Sequence, residues 1–177
     1  YIGDKTTKKL IWRFGNPSVY GAGRAPSFMD DGDQLLWGPH HAHIIPPGHP
    51  GAGNMLILDN GWNRPQGNRT RSVEVDMSKN SYTAYANAGV GALPTGNTSL
   101  TKSNNRSPHP LHPGHIIWQY TGARPNSRYS ASQCTNQRLP NGNTHITITE
   151  TGHIIEVTQG VLTSGNYLNK EVVWEFI

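Results

Sequence analysis

Three histidines within four positions, His40, His41 and His43, head the short apolar run Gly38-Pro39-His40-His41-Ala42-His43-Ile44-Ile45-Pro46. The unperturbed pKa of an imidazole is about 6.5, so a neutral one is a competent nucleophile near pH 7. Alternating histidines on a strand also ligate metals, and His40, His41 and His43, with His49 close behind, form a candidate ligand set. A third use is structural, as a strand-entry bridge to a turn. Side chains two apart on a strand share a face. That pairs His41 with His43 and sends His40 the other way.

The residues around them say what must hold them. A second apolar run, Met55-Leu56-Ile57-Leu58, ends in the polar turn tripeptide Asp59-Asn60-Gly61. Apolar runs bounded by Gly, Pro, Asn and Asp read as buried strands joined by turns. The histidines therefore sit at a strand entrance, held by a sheet and within reach of a cleft.

An internal repeat sets the architecture. Lys9-Leu10-Ile11-Trp12-Arg13-Phe14, His115-Ile116-Ile117-Trp118-Gln119-Tyr120 and Glu171-Val172-Val173-Trp174-Glu175-Phe176 share two aliphatics, a Trp, a polar residue and an aromatic. The last two Trp residues lie about 56 positions apart and the first two about 106, which is near twice that. Between them, Ala42 to Pro46 matches Asn136 to Pro140, Gly53 to Leu58 matches Gly142 to Thr147, and Arg71 to Asp76 matches His153 to Thr158. Each unit then has four short strands, the make-up of a β-propeller blade. The fold class expected is all-β, with four-stranded antiparallel blades in a partial propeller. Residues 1–177 hold one outer strand and two blades, with an insertion over about 78–113 that is rich in Ser, Asn, Gly and Pro. Such a long loop is functional or irregular. Gly15 to Leu36 is a second long connection, turned by Gly21-Ala22-Gly23. Two blades do not close a ring, so the remainder of a longer chain, or other copies, is expected to complete it.

Composition narrows the function. One domain is the default at 177 residues, and 34% hydrophobic residues with Gly 20 and Pro 13 describe a loop-rich protein. A formal charge of +4 from scattered Lys and Arg reads as an ordinary solvated surface. It argues against nucleic acid as a partner and is mildly compatible with anionic substrates. The single Cys134 excludes an internal disulfide framework. No apolar run is long enough to span a membrane.

Several motifs carry a family resemblance. Trp12-Arg13-Phe14-Gly15-Asn16-Pro17, Tyr20-Gly21-Ala22-Gly23, His41-Ala42-His43, Gly48-His49-Pro50-Gly51-Ala52-Gly53-Asn54, Asp59-Asn60-Gly61 and Arg64-Pro65-Gln66-Gly67 resemble the arylsulfotransferase family. Gln137-Arg138-Leu139-Pro140-Asn141-Gly142-Asn143-Thr144 and Val173-Trp174-Glu175-Phe176 are similar to its following blade. The resemblance implies a six-bladed propeller, periplasmic or extracellular, that moves a sulfuryl group between phenolic compounds through a transient sulfohistidine. It implies an aryl sulfate or phenol as substrate, no cofactor and no nucleotide donor. The nucleophile position falls on His41, with His43 beside it, and His40 stands where the family has Gln. The family's other site histidines and its arginine lie on blades outside this stretch.

The chemistry needed beside such a nucleophile is cationic, because a sulfuryl group in transfer spreads negative charge over its oxygens. Arg64, Arg69, Arg71 and Arg138 are the candidates, with Arg138 better suited to supporting the blade than to the chemistry. Asn60 is placed to orient the imidazole or donate to a sulfuryl oxygen. Trp12, Trp118 and Trp174 are expected to be packing residues. Two alternatives stand beside transfer. One is the histidine metal site, with His109, His112 and His115 in the insertion as further ligands. The other is a non-catalytic extracellular binding or structural propeller, for which Asn68-Arg69-Thr70, Asn97-Thr98-Ser99 and Asn105-Arg106-Ser107 are usable glycosylation sequons.

Overall fold

The computed structural model describes residues 2–8, 10–12, 14–20, 24–77, 116–121, 128–163 and 166–177. Among them are twelve strands, short 3-10 turns at Pro17–Tyr20 and Thr149–Thr151, and no α-helix. The protein is all-β. Among the described residues no helix is long and apolar enough to cross a membrane. The expected insertion over about 78–113 and the turn Gly21-Ala22-Gly23 lie outside the described residues.

The described residues fall into two compact units, one running to Leu36 and including Met77, the other comprising Trp37–Asp76 and Ile116–Ile177. In the first, β1 (Ile2–Gly3) pairs antiparallel with β2 (Leu10–Trp12). The Asp4 carboxylate accepts the N–H groups of Thr6 and Thr7 in the connection between them. Trp12 is buried and stacks on Phe14 with ring centroids 5.8 Å apart.

The second unit holds two four-stranded antiparallel sheets. Sheet one runs in the order β3 (Pro39–Ile44), β4 (Met55–Asp59), β5 (Arg71–Val75), β6 (Ile116–Tyr120). Sheet two contains β7 (Thr135–Arg138), β8 (Thr144–Ile148) and β9 (His153–Val157), and closes with β12 (Val172–Phe176). These are the strands that the repeat predicts, in the predicted neighbour order. A hairpin of β10 (Val161–Thr163) and β11 (Asn166–Leu168) interrupts sheet two between its third and fourth strands. The repeat does not show it, although Ser164-Gly165 between two short apolar runs is a hairpin signal.

Burial explains the strand types. β4 is buried along its whole length, as a continuous apolar run in a central strand should be. β8 alternates, with Thr144, Ile146 and Ile148 buried and His145 and Thr147 less so. The core between the sheets consists of Leu58 and Trp118 from sheet one with Cys134, Ile146, Ile148, Ile155 and Val157 from sheet two.

Polar joints lock the sheets together. Arg138 Nη2 donates to Glu74 Oε2 at 2.6 Å with both side chains sealed from solvent, and the guanidinium carbon sits 5.1 Å from the Trp118 ring centroid. Asn54 Nδ2 donates to the other Glu74 oxygen at 2.7 Å, and Trp118 Nε1 donates to the Gln159 carbonyl. A buried charge pair persists only when its remaining hydrogen-bonding capacity is also met, and here it largely is.

Trp118 and Trp174 occupy matching places, each on the fourth strand opposite the glutamate of the third. Their surroundings differ. Trp118 is 2% exposed under sheet two, whereas Trp174 is 50% exposed and does not serve as the core residue expected of it. The strand position is the same, but no described sheet stacks on that face.

Candidate functional site

The strand period holds for two of the three histidines: the His41 and His43 rings lie on one side with centroids 4.8 Å apart, tilted by 41°. His40 does not turn to the opposite face as expected, because the register shifts between Pro39 and His41 and the bulge breaks the alternation there. Its Nδ1 meets Asn60 Oδ1 at 2.8 Å and the Gly38 carbonyl at 3.2 Å.

Asn60 thus orients His40 and not His41. Its Nδ2 is occupied by the Ser130 carbonyl at 2.9 Å and the Gln133 carbonyl at 3.3 Å. The residue is fully buried, and Thr70 reinforces the same joint by donating its hydroxyl to the Ser130 carbonyl while accepting the Ser130 N–H. Gly61 makes the turn possible. Its φ of +71° suits glycine, and a Cβ there would run into the Arg69 backbone.

What holds His41 comes from the neighbouring sheet. Asn136, buried on β7, donates Nδ2 to Ser72 Oγ at 2.7 Å, which turns its Oδ1 towards His41 Nδ1 at 3.0 Å. Nδ1 also lies 3.4 Å from the Asn136 N–H, so Asn136 engages the ring through Nδ1 alone, and the tautomer decides whether Nδ1 donates to Oδ1 or accepts the N–H. A hydrogen bond on one ring nitrogen sets what the other can do, and with Nδ1 donating to Asn136, Nε2 is the nitrogen able to act as a nucleophile. The sequence reading did not name Asn136. The signal available to it was the repeat, which sets Asn136 opposite Ala42, a polar side chain where the other sheet has a methyl group.

His43 is sealed differently. Both its ring nitrogens are shut off from solvent and have no hydrogen-bond partner among the described residues. Burial first, and the adjoining His41 second, pull its pKa below the ordinary 6.5. The unfolded chain therefore binds this proton more readily than the folded one. The associated stability is complete above about pH 6.5 and is lost as the pH falls through the folded value. Urea unfolding at pH 7.5 and 5.5 should show a larger acid loss for the wild type than for His43→Gln. Equal losses would remove His43 as the source.

The candidate cations are placed elsewhere. Arg64 Nη2 and Arg71 Nε both meet Asp59 Oδ2 at 3.0 Å, and Asp59 Oδ1 accepts the Trp37 N–H at 2.6 Å. Arg64 also lies beneath the Trp37 ring, and Arg71 reaches Gln119 Oε1 at 3.0 Å. Arg138 is held by Glu74. Arg69 lines the Gly61 turn with its backbone. Of the residues proposed from sequence, the structure brings together His41 and His43, and groups Arg64 and Arg71 on Asp59.

No protein-family model, curated protein or solved structure matches this chain.

The metal arrangement can be weighed on geometry. Among the described residues no three His, Cys, Asp or Glu side chains converge as a ligand set. His40 is bonded to Asn60, and His49 Nδ1 lies 3.4 Å from the Pro47 carbonyl in a turn. His109, His112 and His115 lie outside the described residues.

Proposed function

We propose that the two sheets are blades of a six-bladed β-propeller of arylsulfotransferase type, and that His41 is the nucleophile in sulfuryl transfer between phenolic compounds. The observation that supports the reading is the contact chain of Ser72, Asn136 and His41, which engages the ring through Nδ1 and makes Nε2 the attacking nitrogen. In the first half-reaction Nε2 attacks the sulfur of an aryl sulfate, an N–S bond forms, the S–O bond to the aryl group breaks and the phenolate departs. In the second, an acceptor phenol gives its proton to solvent or to the departed phenolate, its oxygen bonds to the same sulfur, and the N–S bond breaks to restore the imidazole. Asn136 Oδ1 steadies the Nδ1–H while Nε2 carries the group, and His43, held neutral by burial, adds no competing charge. The family's further histidines and arginine would supply the charge stabilisation from other blades, and the reaction would take place in the periplasm or outside the cell.

A second reading is favoured by one observation. Arg64 and Arg71 are drawn to Asp59 and Arg138 to Glu74, so the cations that transfer needs are tied up in joints. That suits a non-catalytic extracellular propeller used for binding or support.

The test is to incubate the protein with 4-nitrophenyl sulfate, quench it in base and digest it. The peptide carrying His41 should gain one sulfuryl group, and adding phenol should discharge it. A protein that never becomes sulfated favours the binding reading, and a label on any other histidine removes His41 from the role.

A further inference from the structure

The outward face of sheet two repeats, unfinished, the joint that fastens sheet one to sheet two. In the finished joint, Glu74 accepts Asn54 on one oxygen and Arg138 on the other, with the guanidinium over Trp118. On the outward face Glu156 stands where Glu74 stands, and its Oε1 accepts Asn143 Nδ2 at 2.6 Å and Asn141 Nδ2 at 3.2 Å. Trp174 lies opposite Glu156 in the strand register, as Trp118 lies opposite Glu74. The two amides hold the Glu156 carboxyl below the usual carboxylate range, so it is ionised at neutral pH. Among the described residues no cation forms an ion pair with it. The surround is apolar, with Trp174 50% and Phe176 59% exposed. An exposed pair of aromatics beside a preset carboxylate marks a contact surface.

We infer that this face docks a further four-stranded antiparallel sheet of the same repeat, whose first strand carries an arginine in the position of Arg138. That arginine closes on Glu156 above Trp174, as Arg138 closes on Glu74 above Trp118. Charge complementarity selects this occupant over a second copy of the chain. The residue of β3 that matches Arg138 is Ile44, and a copy presenting its sheet one would bring a hydrocarbon to Glu156 and bury the carboxylate unpaired, at a cost. The inference rests on the propeller half of the proposed function and not on sulfuryl transfer, so its test reads the docking of Trp174 while the labelling of His41 tests the chemistry.

The experiment supplies such a sheet from the protein's own sequence. Ile177 stands where Thr121 stands relative to the Trp, so a second copy of residues 122–177 is appended directly after Ile177 in the intact chain. Trp174 of the original copy is read by iodide quenching, as the difference between each protein and its Trp174→Phe partner. The appended sheet should cut the quenching of that Trp several-fold and shift its emission to the blue. Either Glu156→Gln in the original copy or Arg138→Met in the appended copy should restore most of the quenching, and Gln137→Ala in the appended copy should not. An extension that folds and leaves Trp174 equally quenched overturns the inference. So does an extension that stays unfolded, because the face then fails to template a sheet of its own repeat. Sedimentation of the unextended chain covers the other occupant: self-association abolished by Trp174→Lys would assign the face to a second copy and end the proposal.

Discussion

Replacing Asp59 by Ala should destabilise the protein by about 3–5 kcal/mol, the range for leaving a buried charge without its partner. The size follows from how many groups depend on one carboxylate. Its two oxygens accept the Trp37 N–H, Arg64 and Arg71, and the carboxylate is wholly buried. Arg64 is nearly as buried, so removal of Asp59 takes away a carboxylate that its guanidinium meets in a site of low dielectric. Asp59→Asn keeps an acceptor for the Trp37 N–H but loses the charge, and should fall between the wild type and Ala. Urea titrations of the three proteins would measure this, with the midpoint dropping in that order. A loss under about 1 kcal/mol for Asp59→Ala would mean that the arginines find water on relaxation, and that the cluster is not a keystone of the sheet.

His41→Ala should lower sulfuryl transfer by on the order of 10³-fold or more, since the covalent step loses its nucleophile. The fold should survive, because His41 is only partly buried and its bonds run to Asn136, whose side chain also keeps Ser72. His40→Ala removes a ring of the same kind one residue away, one that is held by Asn60 and not by Asn136, and should leave turnover within a few-fold of wild type. Asn136→Ala should fall between the two, by roughly 10- to 100-fold, the usual scale for a residue that orients an imidazole through its second nitrogen. Turnover and mass spectrometry of the His41 peptide would be read on all four proteins. A His41→Ala protein with wild-type turnover, or His40→Ala and His41→Ala equally impaired, would sink the assignment.

The sequence alone determined the eight strands of the two four-stranded sheets. Apolar runs closed by Gly, Pro, Asn and Asp fix where strands begin and end, and the recurring Trp segments group them into two sets of four in the order observed. It also determined that His41 and His43 share a face, since the two-residue period of a strand is a local property of the backbone. The tertiary structure decided what each side chain meets. Asn136 and His41 are 95 residues apart, and their bond exists because β7 stacks beside β3. In the chain Arg64 and Arg71 read as cations for a sulfuryl group, and Arg138 more as a support of the blade. Folding drew the first two onto Asp59 and the third onto Glu74, because a buried carboxylate must find a donor. Trp118 and Trp174 have similar neighbours in sequence and different exposures, because burial belongs to the sheet stacked above a residue and not to the strand that carries it.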